Sequence, residues 1–173
     1  MKNRLIICIV ILFFIGLSCT KEDIPAGNET GNESGGTSPV VFNVNKTKLL
    51  QLVNQVRATG CNCGSTQMPP VAALKWNDLL AKAAYDHSVS MNANKFFSHT
   101  GLDGSNAGQR IALAGYSWSA YGENIAMGYS SEQAVMTGWL NSEGHCRNIM
   151  NGKFKEMGAG REGTYWTQDF GSR

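Results

Sequence analysis

The apolar residues of this chain change their spacing along its length, and that change limits the fold more than composition does. Leu49, Leu52, Val53 and Val56 recur at helical spacing. They define a helix from about Asn45 to Thr59, and Gly60 supplies its left-handed stop. Asn77 is a good N-cap for a second helix reaching about Asn94, with Leu80, Ala83, Ala84, His87 and Met91 on one face. A shorter helix, about Asn106 to Ala114, carries Arg110, Ile111 and Leu113. A fourth starts near Ser130 with Gln133 placed for a capping box, turns Val135 and Trp139 inward and ends near Ser142. The period then shortens. MGAGREG and TYWTQDFG alternate as a strand hairpin turning near Glu162-Gly163, and GENIAMG (Gly122 to Gly128) reads as another short strand or extended segment. Helices come first and strands gather late, which predicts the α+β class.

The start of the chain has a different character. Lys2 and Arg4 precede an apolar run, Leu5 to Leu17, so residues 1–18 read as a secretory signal. Ser18-Cys19 resembles the lipobox of bacterial lipoproteins, although Gly16 stands where leucine is usual. That reading has the peptide cut before Cys19 and lipid carried on its sulfur; the alternatives are an ordinary signal peptide and an uncleaved anchor. Residues 19–43 then form a lipid-attached linker. Within Thr20 to Val40, 13 of 21 residues are Gly, Ser, Thr, Asn or Pro, too little apolar surface to offset the entropy of ordering. As a flexible coil it spans roughly 25 Å. Lys21-Glu22-Asp23 resembles a surface-export signal of some Gram-negative lipoproteins, or is a solvated charge run. The expected location is the cell envelope, lipid-anchored to the outer membrane, with surface display left open. Residues 44–173 make one domain, at about 130 residues long enough to bury a sizeable core as a monomer. Removing Lys2 and Arg4 from the 15 basic residues leaves them equal to the 13 acidic ones. This balance gives no reason to expect a nucleic-acid partner.

Three histidines could carry chemistry. His87 lies on the apolar face of the second helix, where a satisfied core histidine is the plainer reading. His99 follows two aromatic residues in FFSHTGLDGS, in a loop after a helix. His145, beside Gly144, also reads as a loop residue after a helix, and loops on rigid elements are where sites are built. Glu123, in GEN between aromatic and apolar residues, needs a histidine or arginine partner. Two imidazoles and a carboxylate suit zinc. The spacings of 24 and 22 residues between His99, Glu123 and His145 do not by themselves bring the three together.

The blocks FFSHTGLDGS, RIALAGY, GENIAMG, AVMTGWLNSEGHCRNIMNGKFKEMGAG and YWTQDFG, in this order, resemble the CAP superfamily, the cysteine-rich secretory, antigen 5 and pathogenesis-related proteins with SCP-like domains. The likeness covers about Leu49 to Gly171 and is nearest to the bacterial secreted and lipoprotein branch. It implies a three-layer α-β-α sandwich with a mainly antiparallel central sheet and an open cleft of two histidines and two acids. The family histidines fall on His99 and His145, its first acid on Glu123. In many members the histidines hold zinc. The second acid falls on Ser142, which puts in doubt any mechanism needing two cleft carboxylates. Gln168 matches a strand residue lining the family cleft.

Cys8 leaves with the signal and Cys19 takes lipid, so Cys61, Cys63 and Cys146 remain. Outside the cytoplasm one bridge is expected, from the CNC loop to Cys146, contributing about 4 kcal/mol through loop entropy. Cys63 is slightly preferred to Cys61, because Gly64 lets the backbone approach. The rival reading gathers all three sulfurs and His145 around zinc.

Three functions compete. The preferred one is a lipid-tethered extracellular binding module whose cleft, with or without zinc, meets an unknown ligand or surface partner. The second is metal-assisted hydrolysis of a peptide or ester, with Glu123 as base. The third is a structural or adhesive envelope role. Ser142 lies three residues before His145, but without an orienting acid it reads as a helix-end serine, not a nucleophile.

Overall fold

The structure, a computed structural model, describes residues 41–173. The signal, Cys19 and most of the linker lie outside the described residues. In chain order the elements are α1 (Lys46–Thr59), β1 (Cys61–Cys63), β2 (Thr66–Met68), β3 (Lys75–Trp76), α2 (Asp78–Asn94), α3 (Ala107–Leu113), β4 (Ala120–Met127), α4 (Glu132–Leu140), α5 (Glu143–Ile149), β5 (Glu156–Glu162) and β6 (Tyr165–Ser172). Phe42 and Asn43, assigned above to the linker, are tied to the domain. The Arg161 N–H donates to the Phe42 carbonyl at 3.0 Å, and the Asn43 side chain donates to Glu162 at 3.0 Å.

Local chemistry sets most of the boundaries. The Asn77 carboxamide oxygen accepts from the N–H groups of Leu79 and Leu80, and Lys95 ends α2 in the left-handed region. The capping box lies on α3, where Asn106 and Gln109 satisfy each other's backbone N–H groups. It is not on α4, as Gln133 had suggested. There Ser131 is the cap, and its hydroxyl accepts from the N–H of Ala134, a residue with no side chain to reach back. The CNC segment forms a tight hairpin with β2, Gly64 taking φ of 60°.

The main sheet has the order β3-β5-β6-β4; β3 runs parallel to β5, and the other pairs are antiparallel. Alternation along its strands makes two faces. One face, with Trp166 and Phe170, joins Leu49 and Val53 of α1, Val135 and Trp139 of α4 and Ile149 of α5 in the largest core cluster. Phe154 and Phe170 stack there at 5.3 Å. The other face is covered by α2, which comes close because Gly158 and Gly160 present no side chain to it. α3 packs beside α2 through Leu80, Ala83, Ile111 and Tyr116. The result is the three-layer α-β-α sandwich, mainly antiparallel, with one helical layer on each side. Each large apolar side chain fully buried here contributes about 1.5–3 kcal/mol relative to exposure.

One expected feature differs. The fourth helix does not run to Ser142. It stops at Leu140, and a new helix starts at Glu143, so His145 lies on a helix and not in a loop. Glu143 places its charge in the first turn of α5 and pairs with Arg147 one turn on, at 2.6 Å. These contacts favour a helix despite Gly144.

Candidate functional site

The site is organised by two adjacent residues of β4 whose side chains leave opposite faces of the sheet. Glu123 points toward α3 and the loop after α2. One of its oxygens, Oε1, accepts from His99 Nδ1 at 2.8 Å, and the other, Oε2, accepts from Arg110 Nη2 at 2.6 Å. Arg110 also donates through Nη1 to the Ser105 carbonyl at 2.9 Å. The Glu123 side chain is 3% exposed and that of His99 is 57% exposed. The carboxylate is therefore interior, and the imidazole it holds faces outward.

Asn124 points to the α5 side. Its Nδ2 donates to the His145 carbonyl at 3.2 Å and to Gln168 Oε1 at 3.0 Å. Asn148, one turn beyond His145, donates to Asn124 Oδ1 at 2.9 Å and to the Glu123 carbonyl at 3.0 Å. Three amides thus fasten α5 to the strand that carries Glu123. His145 is half-buried. Burial, and then the charge of nearby His99, push its pKa down, which favours the neutral imidazole.

His145 and Ser142 line a groove of about 320 Å³ with Phe97, Met127, Tyr129 and Trp139. Ser142 is the N-cap residue of α5 but makes no side-chain capping bond. Gln168 is completely buried; it braces Asn124 from beneath and is not a wall residue as expected. His87 is the core histidine anticipated. It is 1% exposed, and its Nε2 donates to the Ser98 carbonyl at 2.9 Å, fixing the loop that carries His99.

Two contributors escaped the sequence reading. Arg110 was placed on its helix but not assigned to Glu123. Asp169 is the register partner of Glu123 across β4 and β6 and is 1% exposed. Its Oδ1 has no hydrogen-bond partner. Burial and then the Glu123 charge push its pKa well up, which favours the neutral acid. A second carboxyl is therefore present behind the site, but on the strand after the hairpin and sealed from solvent.

The sulfurs settle differently from the zinc-cluster alternative. Cys63 and Cys146 are joined in a disulfide and Cys61 is free. Among the described residues, these three are the one group of His, Cys, Asp or Glu donors lying within 4.8 Å of one another. Two of the three are consumed by the bridge and cannot also serve as thiolate ligands.

Comparison with known proteins now bears on this geometry. A model of the cysteine-rich secretory protein family, CAP, matches residues 50–170. The chain belongs to that family. The CAP chain is 35% identical over 100 residues to "Uncharacterized membrane protein YlbC" of Bacillus subtilis (strain 168), an overlap of 58% of this chain and 29% of that protein. It is 29% identical over 153 residues to "Uncharacterized protein YkwD" of the same organism, covering 87% of this chain and 56% of the relative. Among solved structures, an extracellular protein containing an SCP domain from Bacillus anthracis str. Ames superposes with a TM-score of 0.68 at 30% identity, covering 81% of this chain and 45% of that one. This CAP chain therefore spans under two thirds of each of these relatives.

The buried histidine gives a pH expectation. Burial above all lowers the His87 pKa from 6.5. The folded state then takes up that proton less readily than the unfolded chain. The associated stability is complete above pH 6.5 and is lost as pH falls through the lowered value. Thermal melts should show a falling midpoint on going from about pH 7 to about pH 5. His87→Gln, which can still donate to Ser98, should flatten that fall; an identical fall in the variant would exclude His87 as its source.

Proposed function

We propose that this CAP domain is an extracellular binding module, tethered by lipid at Cys19, whose site takes a zinc ion between His99 and His145. One observation carries the choice of binding over hydrolysis: both oxygens of Glu123 are already committed, one to His99 and one to Arg110. A carboxylate so engaged is an orienting group, not a free general base. The other carboxyl, Asp169, is buried and does not reach solvent.

The donor chemistry fits the metal. Glu123 receives the proton on Nδ1 of His99, which leaves Nε2 with the lone pair a metal needs. Burial lowers the His145 pKa and so favours the neutral imidazole, the form that binds metal. Zinc held by these two residues would supply a Lewis-acidic centre with positions left for a ligand from outside the chain. Glu123 fixes the His99 ring, Arg110 holds Glu123, and the amides of Asn124 and Asn148 hold α5 in place. The groove beside His145 offers Phe97, Met127 and Tyr129 to the apolar part of such a ligand.

The test is metal analysis and titration of zinc into untagged full-length protein. The parent should bind, and His99→Ala with His145→Ala should abolish binding. Glu123→Gln should weaken it roughly 10–100-fold, the usual loss when the group behind a ligating histidine is changed. Equal affinity in parent and double variant would end the zinc reading. Turnover of a peptide or ester by the parent alone would favour the hydrolase instead.

Lipid attachment rests on residues 1–18 and the Ser18-Cys19 pair. Among the described residues no helix is long and apolar enough to cross a membrane. Cells fed labelled palmitate should incorporate it into the parent and not into Cys19→Ser; equal labelling would exclude this attachment site.

A further inference from the structure

Cys61 lies in β1 beside the bridge that its strand neighbour Cys63 makes to α5. Its Sγ is 3.6 Å from Cys146 Sγ and 4.0 Å from Cys63 Sγ. Cys61 is partly exposed and borders a groove of about 520 Å³ with Thr59, Gly60, Gln67, Met68 and Pro70. Cys63 and Cys146 are fully buried. A free thiol reachable from solvent thus sits in contact with both sulfurs of a closed disulfide.

We propose that Cys61, Cys63 and Cys146 form a thiol–disulfide exchange centre, in which the bridge to α5 alternates between Cys63 and Cys61. The Cys61 thiolate attacks Cys146 Sγ, the Cys61–Cys146 bond forms, the Cys63–Cys146 bond breaks, and Cys63 leaves as a thiolate. The proton lost by Cys61 is regained at Cys63. One disulfide and one thiol exist before and after, so no oxidant or reductant is needed.

Geometry selects Cys146 as the sulfur attacked. It is the nearer one, and joining it to Cys61 keeps α5 tied to the hairpin. Attack on Cys63 would bridge positions two apart on a strand, about 6.6 Å between Cα atoms and at the limit a disulfide spans. The near-equal sulfur distances place the thiol alongside the bond, so Cys61 turns about its Cα–Cβ bond before reacting in line. Burial pushes the Cys61 pKa up, which makes exchange slow near neutrality and faster in alkali. The chemical outcome is a change of exposure: an accessible thiol in the groove is replaced by a fully buried one at Cys63. The site can therefore show or withdraw a nucleophile without altering its redox state.

The experiment uses the full-length chain, incubated at rising pH, quenched and digested in acid, with free thiols alkylated and linked peptides mapped by mass spectrometry. Both Cys63–Cys146 and Cys61–Cys146 peptides should be found, with alkylated Cys63 accompanying the second. The rate of approach to that mixture should rise roughly tenfold per pH unit while the thiol is mostly protonated. Finding Cys63–Cys146 alone at every pH, with Cys61 alkylated and Cys63 never, would overturn the proposal. Cys63→Ser gives an independent reading. It should oxidise to a Cys61–Cys146 bridge with none of these thiols free, and two free thiols would overturn it too. Where that variant does not fold, the peptide map of the parent decides.

Discussion

Arg57→Lys should lower the stability of this domain by about 2–4 kcal/mol, read as a shift of the urea midpoint, although the charge is kept. Arg57 is completely buried. Its guanidinium donates to four backbone carbonyls: Nε to Ala72 at 2.8 Å, Nη1 to Ile149 at 2.6 Å and Asn151 at 3.1 Å, and Nη2 to Phe154 at 3.4 Å. The fork reaches two distant segments at once. A lysine ammonium is a single point on a flexible stem and cannot span them. Each buried carbonyl left without a donor costs about 1–3 kcal/mol. Arg57→Ala should cost more, since it also leaves a cavity. Ile149 ends α5 and residues 150–154 follow directly on it, so either change should also loosen His145 and raise hydrogen exchange in that helix. An unchanged midpoint in Arg57→Lys would show that the carbonyls find other donors.

Gly158→Ala should be worse still, leaving most of the protein unfolded or insoluble. A Cβ there would stand 2.0 Å from the backbone nitrogen of Ala81 and 2.5 Å from the carbonyl carbon of Leu80. Overpacking against side chains costs about 1–3 kcal/mol, because rotamers adjust. A helix backbone has no such freedom, so α2 must move as a body away from β5. The loss should exceed about 3 kcal/mol, toward the exceptional end of point substitutions. Gly144→Ala is the control: nothing lies within 4 Å of its added carbon, and the melting midpoint should stay close to the parent's. A folded Gly158→Ala protein with the parent's midpoint would mean that α2 does not rest on that strand.

The elements legible in the sequence are those whose signals are local. Asn77 capping α2, Gly60 closing α1 and the alternation of the final hairpin act within a few residues and need no knowledge of the fold. β3 carries no such signal. It is two residues long and exists because the Lys75 N–H reaches the Lys155 carbonyl and the Asn77 N–H that of Met157. The break between α4 and α5 was hidden because Gly144, a poor helix former, suggested a loop, while the contacts of Glu143 and Asn148 outweigh its cost of about 1 kcal/mol. His99 and Glu123 were both visible, but their hydrogen bond joins residues 24 apart. Asp169 adjoins Gln168 in YWTQDFG. Alternation puts the two on opposite faces, but which one shares a face with Glu123 depends on the register of β4 against β6. Nothing in the residues around Arg57 marks it as buried; the carbonyls that fill its fork belong in part to chain that arrives some ninety residues later.

Glu123 and Asn124 serve different layers from consecutive positions of one strand, and this makes the molecule intolerant of a frame error. Deleting one residue from the start of β4 would present the Asn124 amide to His99 and Arg110, bring the apolar Ile125 to the carbonyl of His145, and turn Glu123 to the α5 side of the sheet one place earlier. Both halves would then lose their proper contact in the same event. Length changes should instead be absorbed at the bend after β4, around 128–131, and at the Gly163-Thr164 turn between β5 and β6, where the count of residues does not decide which way a side chain looks.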